Sequence, residues 1–109
     1  MDRTVLVGLD LDGGERLLKA LDEAGLDIRA AFWLYFPEPE EWRLVFATPV
    51  VDKKGPLKVY SLIRSILQKL EPVPDISFRH ITVVGTKSDD FKFLRKDIYI
   101  EDSYVYRMP

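Results

Sequence analysis

Two strands joined by a proline-rich loop constrain this chain more than any other stretch of its sequence. Residues 28–36 and 42–48 are dominated by apolar and aromatic side chains, and residues 37–41 between them read Pro-Glu-Pro-Glu-Glu. Because proline cannot donate a hydrogen bond to a neighbouring strand, these five residues are predicted to be the loop of an antiparallel hairpin. The chain therefore needs a β-sheet that contains this hairpin.

The predicted register divides the hairpin side chains between two faces of the sheet. If the five-residue loop closes symmetrically, Phe36 lies opposite Trp42 on one face. Trp33, Tyr35 and Arg43 then share the other face. Since large exposed aromatic patches usually mark interfaces or ligand grooves, each face must be covered by other elements or by a partner.

The rest of the chain supplies helices and further strands. Leucines at helical spacing predict a first helix, and Gly55-Pro56 marks the start of a second. β-branched and alternating stretches predict strands on either side of the hairpin in the sequence. A polar connection over 88–96 has room for one helical turn. In chain order, the predicted elements are a strand over 4–10, a helix over 15–24, the hairpin, a helix over 57–70, and strands over 78–84 and 97–107.

This order, β-α-β-β-α-β with one additional strand, predicts an α+β fold of the ferredoxin-like type. In such a two-layer sandwich, two helices cover one face of an antiparallel sheet. We expect the 109 residues to form one domain. The sheet face of Trp33, Tyr35 and Arg43 is then open. These residue types are favoured at interfaces, so the sequence predicts a homo-oligomer or a protein partner, unless the final strand and the segment before it fold across that face.

The composition limits both the cellular compartment that we expect and the kinds of chemistry that the side chains can support. The chain has no cysteine, which excludes a disulfide framework, a thiolate nucleophile and cysteine-bound metal centres, and no cofactor motif is found. The apolar run over residues 5–9 is too short for a signal peptide or a membrane span, so we expect a cytoplasmic protein without a membrane partner. The second half has 11 basic against 8 acidic residues, which is mild for a protein that binds nucleic acid.

Asp10 and Asp12 lie in the stretch Val5-Leu-Val-Gly-Leu-Asp-Leu-Asp-Gly-Gly14. This stretch resembles the first motif of haloacid-dehalogenase-type phosphatases, which implies a nucleophilic Asp10 and a magnesium ion. Gly14 stands where that family has threonine, and the hairpin contradicts the parallel sheet of that family. The residues themselves favour another interpretation, in which Asp12 caps the first helix and Glu15 completes a capping box.

A metal site is the main alternative. An Asp at the end of the first strand of a ferredoxin-like dimer is similar to small CRISPR-associated and toxin-type nucleases, which implies a metal ligand at Asp10. Because hard cations bind clustered carboxylates, Asp10, Asp12 and Glu101, with Asp102 beside them, are the candidate ligands of a metal-dependent phosphodiesterase or nuclease.

Other polar and aromatic residues give weaker signals. His80 is the single histidine, without a nearby nucleophile motif, and a strand histidine paired with a carboxylate or solvent is the favoured interpretation. Tyr104 and Tyr106 in the last strand are candidates for a pocket rim or an interface, although tyrosine is also a good strand former.

Residues 31–49, Gly55-Pro56 and residues 99–107 together resemble a family of small bacterial proteins with no established activity. The resemblance implies a bacterial cytoplasmic setting and transfers no catalytic residue. We therefore expect a non-catalytic binding or regulatory module, self-associating through its open sheet face, with the metal-dependent phosphodiesterase as the alternative.

Overall fold

The structure is a computed structural model that describes residues 8–98 and 102–109. It has an α+β architecture, as predicted. The predicted first strand over 4–10 lies mostly outside the described residues, and its last three residues lead into the first helix without forming a strand. In chain order the elements are α1 (Leu11–Glu23), β1 (Ala30–Phe36), β2 (Glu41–Ala47), α2 (Pro49–Lys54), α3 (Pro56–Lys69), a 3₁₀ helix (Phe78–His80), β3 (Ile81–Val84), α4 (Asp89–Asp97) and β4 (Ser103–Arg107).

The four strands form one mixed sheet in the order β3-β2-β1-β4. β1 pairs antiparallel with β2 and with β4, whereas β2 pairs parallel with β3. The prediction of an antiparallel sheet is therefore wrong, because α2 and α3 form a crossover that brings the chain back to run β3 alongside β2. A ferredoxin-like sheet places its first strand between these two strands, but here they are direct neighbours.

Helices α1 and α3 pack side by side against one face of the sheet, as the leucine spacing predicts. Their buried side chains join Ala31, Trp33, Leu44 and Phe46 of the hairpin in one apolar cluster. Burial of this much apolar surface is the main favourable contribution to folding. The helical members of the cluster are Leu17, Leu18, Leu21, Val59, Ile63 and Leu67.

The hairpin register differs by one residue from the prediction, and this changes which side chains share a face. The loop has four residues, 37–40, because Glu40 adopts a positive φ of 64° and Glu41 already pairs with Phe36. A shift of one residue moves every side chain of one strand to the opposite face relative to the other strand. Arg43 therefore lies on the opposite face from Trp33 and Tyr35. Trp33 belongs to the apolar cluster under α1 and α3, and Trp33 and Tyr35 are only 3% and 9% exposed, so the expectation that they lie on an open face is wrong.

The second face of the sheet is also covered in part by the chain itself. Helix α4 forms where the sequence indicates a polar connection, and its Phe91 is 4% exposed against Phe32, Leu34 and Val84. The segment before the final strand thus folds across a sheet face, but this is the face of Phe32 and Leu34 and not the face of Trp33 and Tyr35 for which that alternative was stated. The final strand joins the sheet edge as β4. Arg43 lies on this second face, where its guanidinium is 5.3 Å from the centre of the Phe36 ring.

Candidate ligand-binding cleft

Asp10 organises the start of α1 and the segment that packs beside it. Its Oδ1 accepts a hydrogen bond from the backbone N–H of Gly13 at 2.9 Å, and its Oδ2 accepts one from the backbone N–H of Asp75 at 2.8 Å. These N–H groups, that of Asp75 first, lower the pKa of the Asp10 carboxyl because they stabilise its anion. The cap of α1 is therefore Asp10, and the prediction that Asp12 is the cap is wrong, since Asp12 is exposed in the first turn.

The two glycines after Asp12 are explained by close packing. A Cβ on Gly14 would lie 2.3 Å from the hydroxyl oxygen of Tyr106, and a Cβ on Gly13 would lie 2.3 Å from Oδ2 of Asp10. The Tyr106 hydroxyl donates to the carbonyl oxygen of Leu11 at 2.5 Å and accepts from Nε1 of Trp33 at 3.0 Å. Burial raises the pKa of Tyr106 to about 12. Gly14 thus lets β4 dock on the beginning of α1, and Gly13 leaves room for the Asp10 carboxylate.

A cleft of about 350 Å³ opens beside this contact, between the end of the hairpin and the segment before β3. The partly exposed Trp42 supplies its aromatic surface, and Trp33, only 3% exposed, lies at its inner end. Trp42 is held by an edge-on contact with Tyr35, with ring centres 5.5 Å apart, and Trp33 is held by Tyr106. The remaining described residues that line the cleft are Gly8, Leu9, Glu40, Glu41, Asp75, Ile76, Ser77 and His80.

The cleft is acidic. Glu40, Glu41 and Asp75 contribute carboxylates, and none of the described residues that line it is lysine or arginine. Glu41 lies between two nitrogen groups at the edge of the cleft: its Oε2 accepts from Nε of Arg43 at 2.6 Å, and its Oε1 is 3.7 Å from Nε2 of His80. His80 therefore lies beside a carboxylate, as the favoured interpretation of a strand histidine holds, although it ends the 3₁₀ helix and not a strand.

The predicted metal ligands are not brought together among the described residues. Asp10 uses both carboxylate oxygens for backbone N–H groups, and Asp12 is exposed. Glu101 lies outside the described residues. Within 8–98 and 102–109, no group of three or more acidic or histidine side chains has a geometry that could hold a metal ion.

The predicted aromatic interface residues are separated. Trp33 and Tyr35 are buried under the helices, whereas Tyr104 on β4 is 38% exposed. Tyr106 is partly buried in the contact with α1. The cleft residues Glu40, Glu41 and Asp75 are missed by the sequence analysis, because they lie in the loop and in a proline-rich connection that carry no motif. The one sequence signal for these cleft residues is the acidic loop next to Trp42.

Among the described residues, no helix is long and apolar enough to cross a bilayer. The cytoplasmic setting stays a prediction. So does the resemblance to small bacterial proteins. No protein-family model, curated protein or solved structure matches this chain.

Proposed function

We propose that this domain is a non-catalytic binding module and that its cleft takes a small organic cation, either a primary ammonium or a guanidinium group. One observation supports this most strongly: both tryptophans of the chain and three carboxylates line one cleft without a lysine or arginine among its described residues. A cation placed between an indole face and carboxylates gains both cation–π and Coulombic attraction.

The size and construction of the cleft suit such a ligand. Its volume is at the lower end of the range of small-molecule sites, which is enough for one cationic head group and a short apolar stem. Its walls are held by contacts that need no ligand, since Asp10 fixes the backbone at Asp75 and Tyr106 fixes the indole of Trp33. A site that is held in place before binding loses little entropy when the ligand arrives.

The chemistry of the cleft favours binding over catalysis. The Glu41 carboxylate accepts a hydrogen bond from the guanidinium of Arg43, so this oxygen is not free to take a proton from a substrate. The two-layer core of α1, α3 and the sheet serves in this proposal as the scaffold for the binding cleft.

The metal-dependent phosphodiesterase has less support. It stays a prediction that depends on Glu101. Manganese titration followed by NMR separates the two functions. Selective broadening of the Asp10 and Asp12 amide signals by millimolar manganese favours the metal enzyme. Sharp signals at both residues leave the cation-binding module as the better-supported function.

Tryptophan fluorescence tests the proposal directly, because both indoles line the cleft. We expect Nα-acetyl-arginine methyl ester, whose only cation is the guanidinium, to change the emission in a saturable way. Nα-acetyl-citrulline methyl ester, which has a neutral urea in place of the guanidinium and no ammonium group, should bind at least several-fold more weakly. Equal responses to the two esters, or no response up to about 10 mM, where binding free energies fall below about 3 kcal/mol, would overturn it.

Single substitutions of charged residues inside and outside the cleft test whether the cation binds there. Asp75→Asn and Glu40→Gln remove one lining charge each, and each is expected to weaken binding about five-fold, as for the loss of one charge contact of about 1 kcal/mol in water. Glu71→Gln is the control, because Glu71 is exposed on the same connection but does not line the cleft. An equal effect of all three variants would indicate a general charge effect and contradict the proposed site.

A further inference from the structure

His80 is placed where it can change the charge of the cleft. Histidine is the side chain that ordinarily gains or loses its charge between about pH 5 and 8, and His80 is the single histidine of this chain. Its backbone N–H donates to the carbonyl oxygen of Ser77 at 2.9 Å, which closes the 3₁₀ turn. Its side chain lines the cleft and is 32% exposed, so protons reach it from the solvent. Protonation of this imidazole therefore places a positive charge on the wall of the cleft.

The carboxylate oxygen that faces His80 belongs to Glu41. Oε2 of Glu41 accepts from Nε of Arg43 at 2.6 Å, whereas Oε1 lies 3.7 Å from Nε2 of His80. This second distance is too long for a hydrogen bond but short enough for an ion pair once the imidazole is protonated. Because Oε2 is engaged by Arg43, Oε1 is the oxygen of Glu41 that is left for a bound cation. A cation in the cleft and a protonated His80 therefore compete for the same oxygen.

The described charged groups around His80 come from each element that packs near it. Carboxyl and guanidinium groups ordinarily titrate outside the range from about pH 5.5 to 8, so the change in charge over this range is assigned to His80. These groups are Glu40, Glu41 and Arg43 of the hairpin, Asp75 of the connection before the 3₁₀ helix, Arg79 within that helix, and Arg64 of α3, whose guanidinium is 5.5 Å from the centre of the Phe78 ring.

We infer that the cleft exchanges a proton on His80 for the organic cation, so that acidification releases the ligand. This inference rests on the proposed cation-binding function and adds its regulation by pH. A neutral imidazole leaves Oε1 of Glu41 to the ligand, whereas an imidazolium pairs with that oxygen and repels the ligand. Coupling between two ligands is reciprocal, so a cation that binds more weakly to the protonated cleft also drives the proton off His80.

Binding of Nα-acetyl-arginine methyl ester at two pH values tests the inference, because this ligand has no group that titrates between them. Tryptophan fluorescence should give a dissociation constant at least about five-fold higher at about pH 5.5 than at about pH 8, as for one like charge at contact distance in water. Absence of binding at both pH values overturns the proposed function itself. Equal binding at both pH values overturns this inference and leaves the proposed function standing.

Two substitutions separate the charge of His80 from its other contacts. His80→Gln has no charge at either pH, and His80→Lys has a positive charge at both. Each should make the dissociation constant nearly independent of pH, with weaker binding in His80→Lys than in His80→Gln. Arg79→Gln is the control, because Arg79 is exposed at the preceding position and does not line the cleft, and it should keep the pH dependence of the parent chain.

Circular dichroism at both pH values verifies that each variant keeps the parent fold. If folded His80→Gln retains the five-fold pH dependence, another group is responsible and the inference is wrong. The inference also fails if folded His80→Lys binds the ester as well as His80→Gln does, since a fixed positive charge at this position must weaken the binding of a cation.

Discussion

At the scale of single residues, Asp10 shows how one side chain outweighs a more typical local pattern. Asp12 with Glu15 resembles a capping box, and Gly13-Gly14 is poor helix sequence, so local propensity places the helix start later than it is. The helix begins at Leu11 because Asp10 accepts two backbone N–H groups, one of them from Asp75, far along the chain. The glycines are kept inside the helix by their contact with Tyr106 and Asp10.

Replacing the two aspartates one at a time distinguishes the two capping assignments. We expect Asp10→Ala to lower the free energy of unfolding by about 1 to 2 kcal/mol, since it removes an N-cap and the acceptor for Asp75. Asp12→Ala should change it by less than about 0.5 kcal/mol, because Asp12 is exposed. Urea denaturation at neutral pH measures both, and a larger loss in Asp12→Ala would show that the cap is assigned to the wrong residue.

At the scale of elements, the hairpin loop and α4 decide how the sheet is covered. The four-residue loop sets a register in which Arg43 lies on the opposite face from Trp33 and Tyr35, and α1 and α3 pack on the face of Trp33. Helix α4 then buries Phe91 against that face, so the sheet has helices on both sides. Residues 88–96 are mostly polar because only one side of this short helix meets the sheet.

The contribution of α4 can be measured with two substitutions in successive positions. Phe91→Ala should destabilise the domain by about 3 kcal/mol, at the lower end of the range for buried phenylalanine because α4 lies at the periphery. Lys92→Ala, at the next and exposed position, should have an effect below about 0.5 kcal/mol. Thermal or urea unfolding gives both values, and similar small effects would mean that α4 does not pack on the sheet in solution.

At the scale of the whole molecule, β4 closes the structure by contacting elements distant in sequence. Tyr106 contacts α1 and β1, and the guanidinium of Arg107 donates to both carboxylate oxygens of Asp22, at 3.0 and 2.8 Å. The Arg107 guanidinium lowers the pKa of Asp22 through this pairing. The carboxyls of Asp10 and Asp22, whose pKa values are lowered, and the phenol of Tyr106, whose pKa is raised, therefore lie along the contact between α1 and β4.

These shifts predict how stability depends on pH. Asp10 and Asp22 have a pKa below the ordinary 3.8 in the fold, so their contribution is present above that pH and is lost as the pH falls through the lowered values. Tyr106 has its pKa raised from 10.0 to about 12, so the fold favours the neutral phenol and stability falls as the pH rises between these values.

Urea midpoints measured across the pH range test this dependence. Asp22→Asn should make the acid loss less steep, and Tyr106→Phe should remove part of the alkaline loss between pH 10.0 and about 12. Tyr104→Phe is the control for the second variant, because Tyr104 is exposed and its hydroxyl should contribute little. An alkaline profile that Tyr106→Phe leaves unchanged would contradict the buried hydrogen bonds of this hydroxyl.

The sequence by itself determines the α+β class, the hairpin, and the two helices that cover one face, because these depend on local periodicity, prolines and glycines. α1, α3, β1 and β2 lie close to their predicted ranges. β3 and β4 are shorter than predicted, since a 3₁₀ helix occupies Phe78–His80 and α4 extends to Asp97. The resemblance and the cytoplasmic setting remain predictions.

Only the tertiary structure decides the register of the hairpin, the parallel pairing of β2 with β3, and the helix on the second face. Each depends on contacts between residues far apart in sequence, such as Asp10 with Asp75 and Tyr106 with Trp33. The cleft also depends on residues far apart in sequence, since its carboxylates come from the hairpin loop and from the distant connection before β3. A one-residue difference in loop length leaves local propensity unchanged but reverses the faces of β2 relative to β1, which separates Arg43 from Trp33. Which face of β1 the helices cover is decided by long-range packing, and this places Trp33 under α1 and α3.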